Sequence, residues 1–128
     1  MQLINNPWKC HRKQKQYAVE DLYQGIYSKI NIPITFDYHH HWCHPGELTQ
    51  EEALKMASTT WPKGIKQLCH YSSCKQIHED ASVMARAHAD YIYEHINTYG
   101  LELDIELEAK AKELAVQKYV KQFANELV

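Results

Sequence analysis

The sequence predicts an α/β protein in which short strands alternate with helices and pair in parallel. Three observations support this prediction: short apolar runs, some with clear period-2 alternation, amphipathic stretches between them, and polar loops or turn signals at their ends. The chain has 128 residues, which is enough for one domain, and we expect a single domain over residues 1–128.

Four segments have the length and pattern of strands. In the second, Ile34 and Phe36 share one face, whereas Thr35 and Asp37 share the other. Pro33 lies near the start of this strand, where a missing backbone N–H is tolerated. The predicted strands are residues 1–4, 32–37, 65–70 and 101–108.

Helices are predicted between and after these strands. Residues 18–30 carry an amphipathic stripe, and Thr49 and Glu52 fit a capping box that opens a helix ending near Ser58. Helix-like sequence also covers residues 83–98, whereas residues 38–47 and 71–80 are predicted as polar loops. The final helix shows one apolar stripe, formed by Leu107, Ala111, Leu114, Ala115, Tyr119, Phe123 and Leu127.

Composition excludes some function classes and leaves others open. The net charge is -2, so a nucleic-acid role would have to depend on a local basic patch. No apolar run reaches the roughly 18–20 residues of a membrane span, and residues 1–6 lack the pattern of a secretory signal. We therefore expect a cytoplasmic protein without membrane association.

The chain contains four cysteines and nine histidines, which raises the question of metal binding. A disulfide framework is not expected without a secretory signal. Cys69, Cys74 and His78 have only a loose zinc-like spacing, and no CxxC pair occurs. The favoured interpretation is that the cysteines are small buried or half-buried side chains.

Residues that could bind metal fall at the predicted strand ends. Asp37, His70 and Glu108 close three successive strands, and parallel strands bring their carboxyl ends to one edge of a sheet. In the predicted strands these three residues lie on the face opposite the apolar side chains. We therefore expect the three side chains to converge. Carboxylates together with imidazoles suit Mn²⁺ or Zn²⁺. The alternatives to metal binding are that the His-rich loop is simply solvated and that His70 has a structural role.

Several blocks of the sequence resemble the UV damage endonuclease family, in order and at comparable spacing. One block is a strand that ends in Asp37 and is followed by His39, His40 and His41. The similarity covers about residues 16–125. The other blocks are residues 17–22, 60–62, 70–73, 87–92 and 108–112.

The resemblance implies a TIM-barrel-like fold, here a partial (β/α)8 barrel of about four βα units corresponding to the C-terminal half. It also implies a DNA-repair endonuclease that cuts damaged double-stranded DNA 5′ to UV photoproducts by metal-dependent hydrolysis. The metal would be Mn²⁺, with Zn²⁺ or Mg²⁺ as alternatives. By position, the implied metal ligands and catalytic residues are Asp37, His40, His70, His88 and Glu108.

The sequence departs from the family pattern at two ligand-related positions. No glutamate occurs in the stretch around Ile4, and Leu68 replaces the family's lysine. An eight-stranded barrel usually needs about 250 residues, so four units leave open strand edges. The chain could therefore be an enzyme completed by a separate N-terminal half chain or as a homo-oligomer. The alternatives are a catalytically degenerate fragment and a non-catalytic metal- or DNA-binding module.

The sequence offers only a few candidate residues for DNA contact. A basic loop near the N-terminus contains Lys9, Arg12, Lys13 and Lys15, which could hold phosphates or could simply be solvated. Tyr71 and Ser72, which follow the third predicted strand, are further candidates for DNA contact.

Overall fold

A computed structural model describes residues 17–123, and within them three short strands form one parallel sheet. Their order is β1 (Phe36–Asp37), β2 (Gln67–Tyr71) and β3 (Leu103–Leu107), the same as their order in the chain. Asp37 is the register partner of His70, which in turn is the partner of Glu106. The predicted α/β class with a parallel sheet is confirmed. The strand predicted at residues 1–4 lies outside the described residues.

The first helical region begins near Val19, as predicted, but is not a regular α-helix. It comprises α1 (Val19–Leu22), a π-helical segment (Tyr23–Tyr27) and α2 (Ser28–Ile30). Gly25 lies within the π-helical segment, where its low α-helix propensity weakens regular hydrogen bonding. The region ends at Asn31, which has a left-handed conformation with φ of 55°.

Strand β1 is shorter than the predicted residues 32–37 because side chains satisfy its backbone. The Ile34 N–H donates to the Thr60 hydroxyl at 2.8 Å, and the Trp61 indole N–H donates to the Ile34 carbonyl at 2.9 Å. These bonds replace the ladder bonds that would extend the strand. The predicted faces are nevertheless confirmed, since Ile34 and Phe36 are buried and Thr35 is exposed.

The His-rich segment contains a helix, α3 (Tyr38–Cys43), so the prediction of a loop throughout residues 38–47 was wrong. Asp37 caps this helix, since its Oδ1 accepts from the His40 N–H at 2.9 Å. An Asp at the N-cap satisfies a backbone donor that the first turn leaves free. The histidines are therefore held on a helix that begins directly at the end of β1.

The capping box predicted at Thr49 and Glu52 is confirmed at the start of α4 (Gln50–Ser58). The Thr49 N–H donates to Glu52 Oε1 at 2.9 Å, and the Glu52 N–H donates to the Thr49 hydroxyl at 3.1 Å. Hydrogen bonds from the Thr49 backbone N–H and from the Thr49 side chain lower the pKa of the Glu52 carboxyl. Helix α4 then buries Ala53, Leu54 and Ala57.

Residues 83–98 do not form the predicted helix, because their backbone groups bond to distant parts of the chain. The Ala87 carbonyl accepts from the Lys75 N–H, and the Ala89 N–H donates to the Ser73 carbonyl, both at 2.9 Å. The Ile96 N–H donates to the Tyr119 hydroxyl at 3.1 Å. Residues 71–80, predicted as a loop, include the short helix α5 (Lys75–His78).

The last helix, α6 (Glu113–Phe123), begins later than its apolar stripe suggested. Leu107 belongs to β3, and Ala111 lies in the turn before α6. Ala115 and Tyr119 are buried and Phe123 packs on the core, as predicted, but Leu114 is 54% exposed. Leu127 lies outside the described residues.

The helices cover one face of the sheet. Phe36 and Cys69 are fully buried on that face, together with Leu54 of α4 and Ile92 of the long connection. The opposite face is polar and open, and it carries Asp104 with 65% of its side chain exposed. No helix in the described part of the chain is long and apolar enough to cross a membrane.

Candidate metal centre

Three side chains meet at the carboxyl ends of the strands, on the open face of the sheet. Asp37, His70 and Glu108 each offer one ligand atom, and these atoms all lie within 4.8 Å of one another. Each residue is half-buried, so the group is reachable from solvent without being spread over the surface. Three of the five predicted ligands are therefore brought together.

The register of the paired strands determines the position of this three-residue group. Asp37 and His70 are partners across β1 and β2, so their side chains leave the sheet side by side. Glu108 follows β3 directly, and its N–H donates to the Tyr71 carbonyl at 2.8 Å, which extends the ladder by one bond. The group is thus attached to paired strands rather than to mobile loop tips, which suits a preformed binding site.

The contacts within the group are those of a site that can accept a cation. Oε1 of Glu108 is buried and accepts no hydrogen bond within the described residues, although it lies 3.1 Å from Nδ1 of His70. A buried carboxylate oxygen without a partner is costly. Two carboxylates and one imidazole match the ligand types of Mn²⁺ and Zn²⁺. The residues present therefore fit a divalent metal.

The other two predicted ligands lie at the margins of the group. His40 lines a pocket of about 310 Å³ together with Asp37 and His70, and its Nε2 lies 3.0 Å from the Tyr17 carbonyl. His88 lines an adjacent open groove that also contains Glu108. Neither imidazole belongs to the three-residue group.

Two exposed cations that were not among the site residues predicted from the sequence line the groove beside Glu108. Arg86 and Lys110 line it together with His88, Glu108 and Ala109. Cations next to a candidate metal site are suited to hold the phosphates of a nucleic acid. Arg86 and Lys110 are far apart in the sequence, so no local pattern indicated that they line one groove. The turn after residue 83 brings Arg86 to the groove.

His39 has a structural environment that differs from those of its neighbours. Its Nε2 lies 3.0 Å from the Ala85 carbonyl, and its ring meets that of His88 edge-on at 5.4 Å. Burial, followed by the proximity of His88, lowers the pKa of His39. His39 is thus a buried imidazole in ring contact with His88.

The described cysteines are buried, as predicted from the sequence. Cys43, Cys69 and Cys74 are all buried, and the Cys74 thiol donates to the Ala85 carbonyl at 3.2 Å. Burial raises the pKa of Cys69 to about 12, which keeps it as a thiol rather than the thiolate that metals require. His78 contacts Glu94 at 3.3 Å instead of completing a zinc site with the cysteines.

The candidate DNA contacts divide into two groups. Lys9, Arg12, Lys13 and Lys15 lie outside the described residues. Tyr71 and Ser72 are 9% and 4% exposed, so their side chains are turned into the protein. The Tyr71 hydroxyl donates to Glu94 at 3.2 Å, and burial raises the pKa of Tyr71.

Leu68, which stands where the resembling family has lysine, lies one strand period before His70 in β2 and is half-buried. Its register partner is Asp104, whose carboxylate contacts Lys66 at 3.7 Å. No lysine therefore projects from position 68. The other departure, near Ile4, lies outside the described residues.

The fold and the site together define an α/β protein with a candidate carboxylate–imidazole metal centre at the carboxyl ends of parallel strands. The sequence matches the family model described as UV-endonuclease UvdE over residues 8–127. The chain belongs to this family.

Relatives in the family share about a third of the aligned residues. The UV-damage endonuclease of Schizosaccharomyces pombe is 33% identical over 106 residues, which cover 78% of this chain and 17% of that protein. A UV DNA damage endonuclease of Bacillus cereus is 37% identical over 101 residues, which cover 72% of this chain and 30% of that protein. The chain thus spans a third or less of the length of these relatives.

A solved structure shows the same fold. The crystal structure of SacUVDE superposes with a TM-score of 0.69 at 26% sequence identity, covering 87% of this chain and 37% of that one. The match supports the α/β class and the parallel arrangement of the strands. Most of that structure has no counterpart in this chain.

Proposed function

We propose that this chain supplies part of the active site of a DNA-repair endonuclease that incises DNA 5′ to UV photoproducts by metal-dependent phosphodiester hydrolysis. The observation that carries the proposal is the convergence of Asp37, His70 and Glu108 in a member of the UV-endonuclease family. These three residues would hold the metal, and His40 and His88, which line the adjoining pocket and groove, would serve further ions.

Divalent ions, which we take to be Mn²⁺ with Zn²⁺ or Mg²⁺ as alternatives, would polarise the phosphodiester and activate water. The chain's own residues position the substrate. Arg86 and Lys110 line the groove beside Glu108, where they can hold phosphates on either side of the scissile bond. His39 would help to orient His88, which lines this groove, through their edge-on ring contact.

The chain would work with additional polypeptide. Within residues 17–123, β1 and β3 each have one hydrogen-bonded neighbour, and the polar face of the sheet is uncovered. Unpaired strand edges favour association. We propose that either a second copy or a separate chain matching the remaining length of the relatives closes the site.

The test is nicking of UV-irradiated supercoiled plasmid in the presence of Mn²⁺, compared with unirradiated plasmid. Glu108→Ala removes one of the three converging ligands, and Glu102→Ala is the control, because Glu102 is an exposed residue outside the three-residue group. We expect UV-dependent nicking that Glu108→Ala abolishes and Glu102→Ala preserves. An end-labelled duplex with one photoproduct would locate the cut relative to the lesion.

The design also separates the alternative functions. Mn²⁺ binding without nicking, both alone and with an added N-terminal half of a relative, would indicate a metal-binding module. Neither Mn²⁺ binding nor nicking would indicate a fragment that retains the fold but has lost its activity. Nicking that appears only with the added half would establish the divided enzyme.

A further inference from the structure

Glu106 is a carboxylate beside the candidate metal centre that does not itself belong to the three-residue group. It lies in the middle of β3, and its Cα is the register partner of His70 in β2. Oε2 of Glu106 lies 3.2 Å from Nε2 of His70. Both side chains project from the open face of the sheet, so this contact follows from the strand pairing.

The two nitrogens of the His70 ring face different carboxylates. Nδ1 lies 3.1 Å from Glu108, whereas Nε2 faces Glu106. A neutral imidazole has one N–H and one lone pair, and only the nitrogen with the lone pair can bind a metal. Nδ1 faces the three-residue group through Glu108, so binding there requires the proton to be on Nε2.

We propose that Glu106 is a positioning residue that accepts a hydrogen bond from Nε2–H of His70 and thereby leaves Nδ1 free to bind the metal. The inference rests on the proposed function, because it assigns a role to His70 within the same site. A carboxylate that accepts from the second nitrogen of a metal-binding imidazole fixes both the tautomer and the ring orientation. Removal of such a partner typically weakens metal binding about 10–100-fold.

The effect depends on hydrogen bonding rather than on negative charge alone. The Glu106 side chain is 62% exposed, so solvent screens its charge from a metal held by the other residues. The contact joins Oε2 of Glu106 to Nε2 of His70 at 3.2 Å, so its effect on the metal acts through the His70 ring. Glu106→Gln keeps an oxygen acceptor without the charge, whereas Glu106→Leu removes both.

Asp104 provides the matched control. It projects from the same face of the same strand, two residues earlier, and its side chain is 65% exposed. Its contact is with Lys66 rather than with His70. Asp104→Asn therefore removes an equivalent charge from the open face and leaves both His70 contacts in place.

The first measurement is made on metal-free, ¹⁵N-labelled protein and does not depend on activity. Long-range ¹H–¹⁵N correlations report which nitrogen of a neutral imidazole carries the proton. We expect the Nε2–H tautomer of His70 in the wild type and in Asp104→Asn, and a mixture of tautomers in Glu106→Leu. A wild-type His70 with its proton on Nδ1 would overturn the proposal.

The second measurement is Mn²⁺ affinity, followed by the loss of the electron paramagnetic resonance signal of free Mn²⁺. We expect Glu106→Leu to bind about tenfold or more weakly, and Glu106→Gln to recover most of that loss. Asp104→Asn should bind as the wild type does. Circular dichroism of every variant checks that each one is folded.

The outcomes separate the inference from the function on which it rests. Equal losses of Mn²⁺ affinity in Glu106→Leu and Asp104→Asn would show a charge effect and overturn the positioning role. A wild-type protein that binds no Mn²⁺ would refute the proposed function. In that case the tautomer experiment still decides whether Glu106 accepts from His70.

Discussion

Asp37 and His70 face each other across the parallel ladder between β1 and β2, as direct register partners. This pairing joins a residue from the end of one strand to a residue near the end of the next. Asp37 also caps α3, so one carboxylate both begins a helix and lies at the candidate metal centre.

Mn²⁺ should stabilise the folded protein through the three-residue group. A ligand present at about one hundred times its Kd adds about 2.7 kcal/mol to the free energy of unfolding, which raises the Tm by several degrees. We expect this rise in the wild type and in Glu102→Ala, and its loss in Glu108→Ala, as measured by thermal unfolding with and without Mn²⁺. An equal rise in all three proteins would place the metal elsewhere.

Two leucines provide a matched test of the core. Leu54 is fully buried and Leu114 is 54% exposed. Leu54→Ala leaves a cavity and should lower the free energy of unfolding by about 2–5 kcal/mol. Leu114→Ala should change it by no more than about 0.5 kcal/mol. Urea unfolding measures both, and similar losses in the two variants would contradict the burial of Leu54 in α4 and the exposure of Leu114 in α6.

The capping box of α4 should contribute measurably to stability. Thr49→Ala removes the hydroxyl that accepts from the Glu52 N–H and should lower the free energy of unfolding by about 1 kcal/mol. Thr49→Ser retains the hydroxyl and is the control. Chemical denaturation of the three proteins under the same conditions decides the point, and a loss in Thr49→Ser as large as in Thr49→Ala would argue against capping.

Glu79 should make stability depend on pH in the acid range. Burial would raise the pKa of its carboxyl, but hydrogen bonds from the Tyr93 hydroxyl, the Asp90 N–H and Lys75 outweigh that effect and lower it. A lowered folded-state pKa means that the stabilisation is present above the ordinary value of 4.5 and is lost as the pH falls through the folded pKa.

Glu79→Gln should therefore lower the free energy of unfolding by about 1 kcal/mol at neutral pH. The difference from the wild type should shrink once the pH falls well below 4.5. Urea unfolding at several pH values measures it, with Glu113→Gln as the control. A difference that stays constant with pH would show that the charge of Glu79 does not stabilise the fold.

The sequence determined the features that depend on local pattern. Period-2 alternation predicted which residues of β1 face the core, and the Thr49–Glu52 signature predicted the start of α4. The placement of Asp37, His70 and Glu108 at successive strand ends predicted that they meet. The first two follow from the geometry of neighbouring residues along one strand or one helical turn. The third follows from parallel pairing, which brings the carboxyl ends of neighbouring strands to one edge of the sheet.

Only the tertiary structure decided where the backbone finds distant partners. Residues 83–98 have helix-like sequence, but Ser73, Lys75 and Tyr119 take up their hydrogen-bonding groups, so no helix forms there. The contact between Glu106 and His70 and the groove containing Arg86 and Lys110 likewise depend on the register of separate strands and on a long connection. Such pairings are set by the packing of the whole domain, which no local pattern encodes.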